Sequence, residues 1–205
     1  MEESSDNKII IKKLPEIIQE IIILLEKRDF NKLHNIEEQT LETAITNFDK
    51  DYSEVCVIIY GLRKLISKEH IYSQKEWKDA QIEITENLNR AIKEFNEEEH
   101  SNFNNIIKNI IFIIEKTDKL LGHYVTHIID DARVRLASIA YAYGLSASQA
   151  SDLVSANREQ LMSFIGVTKM PDEDKKFKSI KERIHLLEIM AKHEKIWRLF
   201  LIQGY

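Results

Sequence analysis

The sequence predicts an all-α protein, and three observations carry that expectation. Apolar residues recur at three- and four-residue spacing along most of the chain, the period of a helix that buries one face. Only five Gly and two Pro serve 205 residues, whereas a β-rich fold needs turn residues about every 8 to 12 positions. Hydrophobic residues make up 43% and charged residues 31%, the balance of a chain that buries a core rather than staying disordered. A chain of this length builds one sizeable core, or a core with a small appended module.

The elements follow in order. A first helix is expected over 15–28, with Pro15 in its first turn and Leu14, Ile17, Ile18, Ile21, Leu24 and Leu25 as its apolar stripe. A second, over 31–48, turns Leu33, Ile36, Thr40, Leu41, Ala44, Ile45 and Phe48 inward. A third, over 53–67, opens with the apolar run 55–60. That run has the look of a buried strand, but its continuation to Leu62, Leu65 and Ile66 favours a central buried helix. Ser73 and Glu76 have the spacing of a capping box, opening a helix that carries Trp77, Ala80, Ile84, Leu88, Ala91, Ile92 and Phe95 inward. The periodic stretch 101–143 is long for one globular helix, so a break or bend is expected near Gly122. On one side of it stand Phe103, Ile106, Ile107, Ile110, Ile114, Leu121, Tyr124, Ile128 and Ala132. Together these helices make an N-terminal helical bundle.

Cys56 is the only cysteine and cannot form an internal disulfide, so nothing indicates an oxidising compartment. Residues 1–7 are acidic and polar, unlike the basic start of a secretion signal. The most apolar stretch, 17–25, is interrupted by Gln19 and Glu20 and is too short to span a bilayer. A soluble, cytoplasmic protein without a membrane partner is expected. The net charge of −5 is unevenly spread. Residues 131–205 hold 12 Lys and Arg against 9 Asp and Glu, and residues 1–130 hold 17 against 25. A mildly basic back on an acidic front is compatible with nucleic-acid contact at the back only.

The informative stretch is 136–166, LASIAYAYGLSASQASDLVSANREQLMSFIG. Two short helices that cross steeply need small residues where they meet, a tight turn, and apolar residues gripping the helix before them. Gly144 follows Leu136, Ile139, Ala140 and Tyr143, where a left-handed helix stop is expected. Ser146 and Gln149 have the spacing of a capping box for the next helix. Ala150 and Ser151 are that helix's small residues, and Leu153 and Val154 are its apolar grip. Ser155, Ala156 and Asn157 form the turn. Asn157 can cap a third helix, which Leu161, Phe164 and Ile165 face onto the core and Gly166 stops.

Over about twenty residues and without a gap, this stretch resembles the helix-turn-helix superfamily. Ser155 stands where that pattern usually has Gly, Ala156 where it has Val or Ile, and Asn157 where it has Ser. The Ser-for-Gly departure suits a turn that is not strictly left-handed there. The expected division is a helical bundle over 1–130, a helix-turn-helix unit over 131–170, and a linker with a C-terminal amphipathic helix over 171–205. The chain also resembles a set of uncharacterised helical proteins from archaea with that arrangement. VIIYGLRKLI at 57–66, LSASQASDLVSANREQLMSFIGVTKM at 145–170 and SIKERI at 179–184 carry this resemblance. It implies a nucleic-acid-binding role and brings no catalytic residues.

If the unit reads DNA, the third helix enters the major groove with its N-terminal, outward residues. Those are Arg158, Glu159, Gln160, Met162 and Ser163. Arg158 suits guanine or phosphate, and Gln160 suits adenine. Arg133, Arg135, Lys169, Lys175, Lys176 and Lys178 are the candidates for phosphate contacts, which orient without specifying sequence. The stretch 179–202, with Ile180, Ile184, Leu187, Met190, Ala191, Ile196, Trp197 and Phe200, reads as an amphipathic helix. It packs on the bundle or on a homodimer partner, since such proteins commonly bind paired half-sites.

The function expected is that of a DNA-binding transcriptional regulator. The alternative is a non-enzymatic helical adaptor for protein or structured RNA, including a ribosome-associated one. His123 and His127, with Asp130 and Asp131 beyond, would share a helix face and have metal-ligand chemistry. They lack the glutamate of the metalloprotease signature, and no metal or other cofactor is expected. Cys56 lies in an apolar run, where an inert thiol is expected. With no phosphate loop or nucleophile elbow in the sequence, no enzyme activity is expected.

Overall fold

The computed structural model describes residues 13–95, 101–122 and 127–167. These residues are helical almost throughout and include no strand, which establishes the all-α class. Among them run α1 Leu14–Glu26, α2 Phe30–Asn47, α3 Lys50–Ile66, α4 Glu69–Tyr72, α5 Lys75–Glu94, α6 Ser101–Leu120, α7 Ile128–Ala142, α8 Ala147–Leu153 and α9 Arg158–Val167. The expected helix over 179–202 lies outside the described residues, as does Tyr124.

Local chemistry sets most helix ends. Pro15 stands in the first turn of α1, where its missing N–H removes nothing from the helix. Asp29 accepts from the Lys32 amide to cap α2, and Asp49 accepts from the amides of Asp51 and Tyr52 to cap α3. Asp49 starts α3 ahead of the expected residue 53. Ser53 thereby falls inside the helix, buried, with its hydroxyl donating to the Leu153 carbonyl of α8 at 2.6 Å. The stretch 101–143 is broken where expected: α6 ends at Leu120, and Gly122 has φ +86, a conformation glycine adopts without a Cβ penalty.

Two expectations are corrected. Ser73 and Glu76 form no capping box, because α4 intervenes. Ser73 has αR backbone as the C-cap of α4, its hydroxyl donates to the Glu69 carbonyl, and Gln74 precedes α5 without a side-chain cap. An N-cap needs an extended backbone that Ser73 does not have. Phe48 is not inward. It is the left-handed C-cap of α2, with φ +51, and 37% of it is exposed, because the turn swings its side chain off the stripe.

α3 is the centre, packed against α1, α2, α4, α6 and α7. Its run from Val55 to Tyr60 is buried, as a helix and not a strand. Gly61 permits the close approach of its neighbours. A Cβ there would lie 3.1 Å from Cγ2 of Ile114 in α6 and 3.6 Å from Cδ1 of Ile129 in α7. On the other side, the buried Glu37 of α2 accepts from Arg63 through both carboxylate oxygens, at 2.8 and 3.2 Å. The apolar core is continuous from Leu14 to Leu161 and includes Ile128, Ile129, Ala132 and Leu136 of α7. Residues 130 and 131 lie within the first turn of α7. No helix of the described residues is long and apolar enough to cross a membrane.

Candidate functional site

α7, α8 and α9 pack on one another in succession, and α7 seats them on α3. The first turn closes on Gly144, at φ +110, whose amide donates to the Tyr141 carbonyl while Leu145 donates to Ala140. These bonds satisfy the carbonyls that α7 leaves open at its end. Ser146 and Gln149 form the expected capping box, with bonds of 3.0 and 3.2 Å. α8 then buries Ala150, Ser151 and Leu153, with Val154 just beyond.

The second turn is left-handed at Ser155, φ +53. The expectation that a serine there goes with a turn that is not strictly left-handed is therefore corrected. The conformation costs an L-residue about 1–2 kcal/mol, and the surroundings hold it in place. The Ala156 amide donates to the Ser151 carbonyl at 2.8 Å. The Ser155 hydroxyl donates to Glu54 Oε1 at 3.3 Å. Arg133 binds the same carboxylate through both oxygens and donates to the Val154 carbonyl. Asn157 caps α9 as expected, its Oδ1 accepting from the amides of Glu159 and Gln160 at 2.9 and 3.0 Å.

α9 is anchored by Leu161, fully buried, and Ile165, half-buried. Arg158, Glu159, Gln160, Met162 and Ser163 are all exposed on it, so these candidates share one short helix. Phe164 does not face the core: 37% of it is exposed, against 51% for Met162. The stripe set by Leu161 and Ile165 is narrow, and at 3.6 residues per turn Phe164 falls to its side. Gly166 does not stop α9, which continues to Val167; open space surrounds the position where its Cβ would stand.

An open groove of about 580 Å³ runs between the start of α7 and α9, lined by His127, Asp130, Asp131, Val134, Gln160, Ser163 and Phe164. Its α7 wall is acidic. Over 127–167 the formal charges are Arg133, Arg135 and Arg158 against Asp130, Asp131, Asp152 and Glu159. Among the phosphate-contact candidates, Arg135 is exposed on α7 and Arg133 is engaged inside the unit. Lys169, Lys175, Lys176 and Lys178 lie outside the described residues.

His127 precedes α7 with φ +60, its Nδ1 3.6 Å from Asp130, and His123 lies outside the described residues. His127 is thus a turn residue ahead of α7 and not within the expected helix. Among the described residues no group of three or more His, Cys, Asp or Glu can hold a metal ion. Cys56 is fully buried, with Sγ 3.5 Å from the Glu37 carbonyl. Burial first, and the charge of Glu37 second, push its thiol well above the usual range.

Glu54 is the residue that sequence reasoning missed. Its partners Arg133 and Ser155 lie 79 and 101 positions away, beyond any local pattern. Lys50 and Asp152, 3.0 Å apart across α3 and α8, were equally invisible. No protein-family model, curated protein or solved structure matches the chain. The resemblance to archaeal helical proteins therefore stands on the quoted residues alone.

Proposed function

We propose that α7, α8 and α9 form a helix-turn-helix unit that reads duplex DNA with the outer face of α9, in a non-enzymatic regulator. The observation that carries this reading is the turn between α8 and α9. A left-handed Ser155 and the Asn157 cap deliver a short helix whose inner stripe is anchored and whose first turns are exposed. Base reading asks for a rigid backbone with projecting side chains that donate and accept. Arg158 would pair with guanine or phosphate, Gln160 with adenine, and Met162 would offer an apolar contact to a thymine methyl. Arg133, committed to Glu54 and the Val154 carbonyl, supports the turn and leaves the phosphate set. Two half-sites read by a homodimer would double the contact.

A second reading, an adaptor that docks protein, is favoured by the acidic wall of Asp130 and Asp131 opposite the exposed Phe164. Salt separates the two. Each phosphate contact lowers the slope of log K against log salt by about 0.9, whereas an adaptor face that docks protein gives no salt-sensitive affinity for any duplex. The test is titration of the full chain with duplexes selected from a random pool, at several salt concentrations. Steeply salt-dependent affinity supports the DNA reading. Absence of salt-sensitive affinity for every duplex overturns it and leaves the adaptor.

A further inference from the structure

α5 and α6 pack on each other and run antiparallel, as two pairs across them show. Asn109 Nδ2 donates to Asn87 Oδ1 at 3.2 Å, and Asn102 Nδ2 donates to Glu94 Oε2 at 3.4 Å. The apolar stripes of the two helices, Ile84, Leu88 and Ala91 on α5 with Phe103, Ile107 and Ile110 on α6, are buried. Beside each runs a polar stripe: Asn87, Arg90 and Glu94 on α5, and Asn102, Asn105 and Asn109 on α6. Both follow the three- and four-residue spacing of one helix face. Between them lies a groove of about 400 Å³ that reaches the buried Ile106.

One end of the polar lining is fixed from within. Only 6% of Asn87 is exposed, its Nδ2 donates to the Glu83 carbonyl at 2.8 Å, and its Oδ1 accepts from Asn109. A carboxamide is tolerated at a helix interface only when it is satisfied, and these bonds orient both amides. Asn109 keeps its Oδ1 and one N–H. Arg90 and Glu94 stand one turn apart, yet no ion pair joins them. Arginine ahead of the acid is the weaker order at this spacing, and Glu94 turns to Asn102 across the groove. Among the described residues, the exposed side chains of Arg90 and Asn105 have no hydrogen-bond or ion-pair partner. The groove therefore offers a guanidinium fork and an open carboxylate oxygen about one helical turn apart, with carboxamides opposite.

We infer that this groove is a binding site for a small zwitterion of the α-amino acid class. The ligand's carboxylate lies in the Arg90 fork, which matches two carboxylate oxygens at once. Its ammonium lies on Glu94, and Asn105 and Asn109 donate to and accept from the polar atoms of its side chain. Glu94 decides the class. A phosphate sets net negative charge against that carboxylate, whereas a zwitterion meets an opposite charge at both ends. The interior between bundle helices is a usual place for small ligands, and volumes of about 300–1,000 Å³ are usual for them. The site does not rest on the DNA reading, since no described residue of α7, α8 or α9 lines it.

The test titrates the full chain with each standard L-α-amino acid in turn, by thermal shift and then by calorimetry, and with inorganic phosphate alongside. At least one amino acid is expected to bind saturably and to raise the melting temperature, because a ligand of the folded state stabilises it by mass action. Arg90→Gln and Glu94→Gln should each weaken that ligand about tenfold or more, the size of one charge-assisted contact. Both side chains are exposed, so the unliganded melting temperature should barely move. Arg90→Lys, which keeps the charge and loses the fork, should fall between Arg90→Gln and the wild type. The site is overturned if no amino acid binds saturably, or if either glutamine variant leaves the affinity of the one that does unchanged. It is equally overturned if inorganic phosphate binds more tightly than every amino acid. Each of these results leaves the duplex titrations, and the DNA reading with them, untouched.

Discussion

Arg133 of α7 holds both carboxylate oxygens of Glu54 of α3, each at 2.8 Å, and donates to the Val154 carbonyl at 2.6 Å with the same guanidinium. One side chain therefore ties the central helix, α7, and the turn that launches α9. The pair is mostly buried, with 17% and 21% of the two side chains exposed. Charge-assisted bidentate geometry is strong in such a setting, and removing one partner leaves the other charge stranded.

Arg133→Ala should accordingly cost about 2–4 kcal/mol of stability, somewhat below a fully buried pair because some water reaches Glu54. Arg133→Lys should recover only part of this, since an ammonium cannot match the carboxylate fork and the carbonyl together. Urea denaturation of the three proteins measures it. A loss within about 0.5 kcal/mol, the range of ordinary surface changes, would mean the clamp is idle.

At Ser155 a left-handed backbone meets an ordinary side chain. Ser155→Gly should raise stability by up to about 1 kcal/mol by removing the Cβ penalty. The long, exposed bond to Glu54 that it sacrifices returns little. Ser155→Val should lower stability by about 1–2 kcal/mol, because a β-branched residue suits this region least. Thermal melts of the two variants should bracket the wild type. The reverse order would show that the turn is not left-handed in solution.

Leu161 and Arg158 should separate stability from binding. Leu161→Ala removes a fully buried side chain and should cost about 2–5 kcal/mol. Arg158→Ala removes an exposed one and should leave the melting temperature nearly unchanged. The same change should weaken binding to a selected duplex by about 1–3 kcal/mol and relax its base preference. If Arg158→Ala binds every selected duplex as tightly as wild type, α9 is not the reading helix.

Cys56 gives a pH dependence of definite sign. Burial raises its thiol in the folded state, so the unfolded chain loses that proton first. Its contribution is fully present below the ordinary thiol range, about 8.5, and declines as pH rises from there towards the folded value. Tyr60 and Tyr143, also raised, add losses of the same sign nearer pH 10, while Lys64, held low, opposes them. Urea midpoints should fall from about pH 8.5 upward, and Cys56→Ala should flatten the first part of that fall. A thiol reagent should label Cys56 only in denaturant. Rapid labelling of the folded protein would contradict its burial.

Much of this fold was legible in the amino acids because the signals are short-range. The stripe of α1 repeats every three or four residues, the Ser146–Gln149 box closes over three, and Asn157 caps α9 within three. The break at Gly122 and the stop at Gly144 need only a residue that tolerates positive φ. Such rules involve one helical turn, and sequence displays one turn completely. They fail when a neighbouring element competes for the same group, as α4 does for the Ser73 hydroxyl, or when a stripe is narrower than its apolar content, as at Phe164.

The partners of charged residues were decided by tertiary structure. Arg133 reads as a phosphate ligand until α7 packs on α3 and meets Glu54, 79 positions earlier. Periodicity determined which face of each helix is buried. The close approach of α3 and α7 at Gly61 determined which charges meet, because electrostatic pairing follows distance in space, and a one-dimensional pattern carries no distances beyond its own helix.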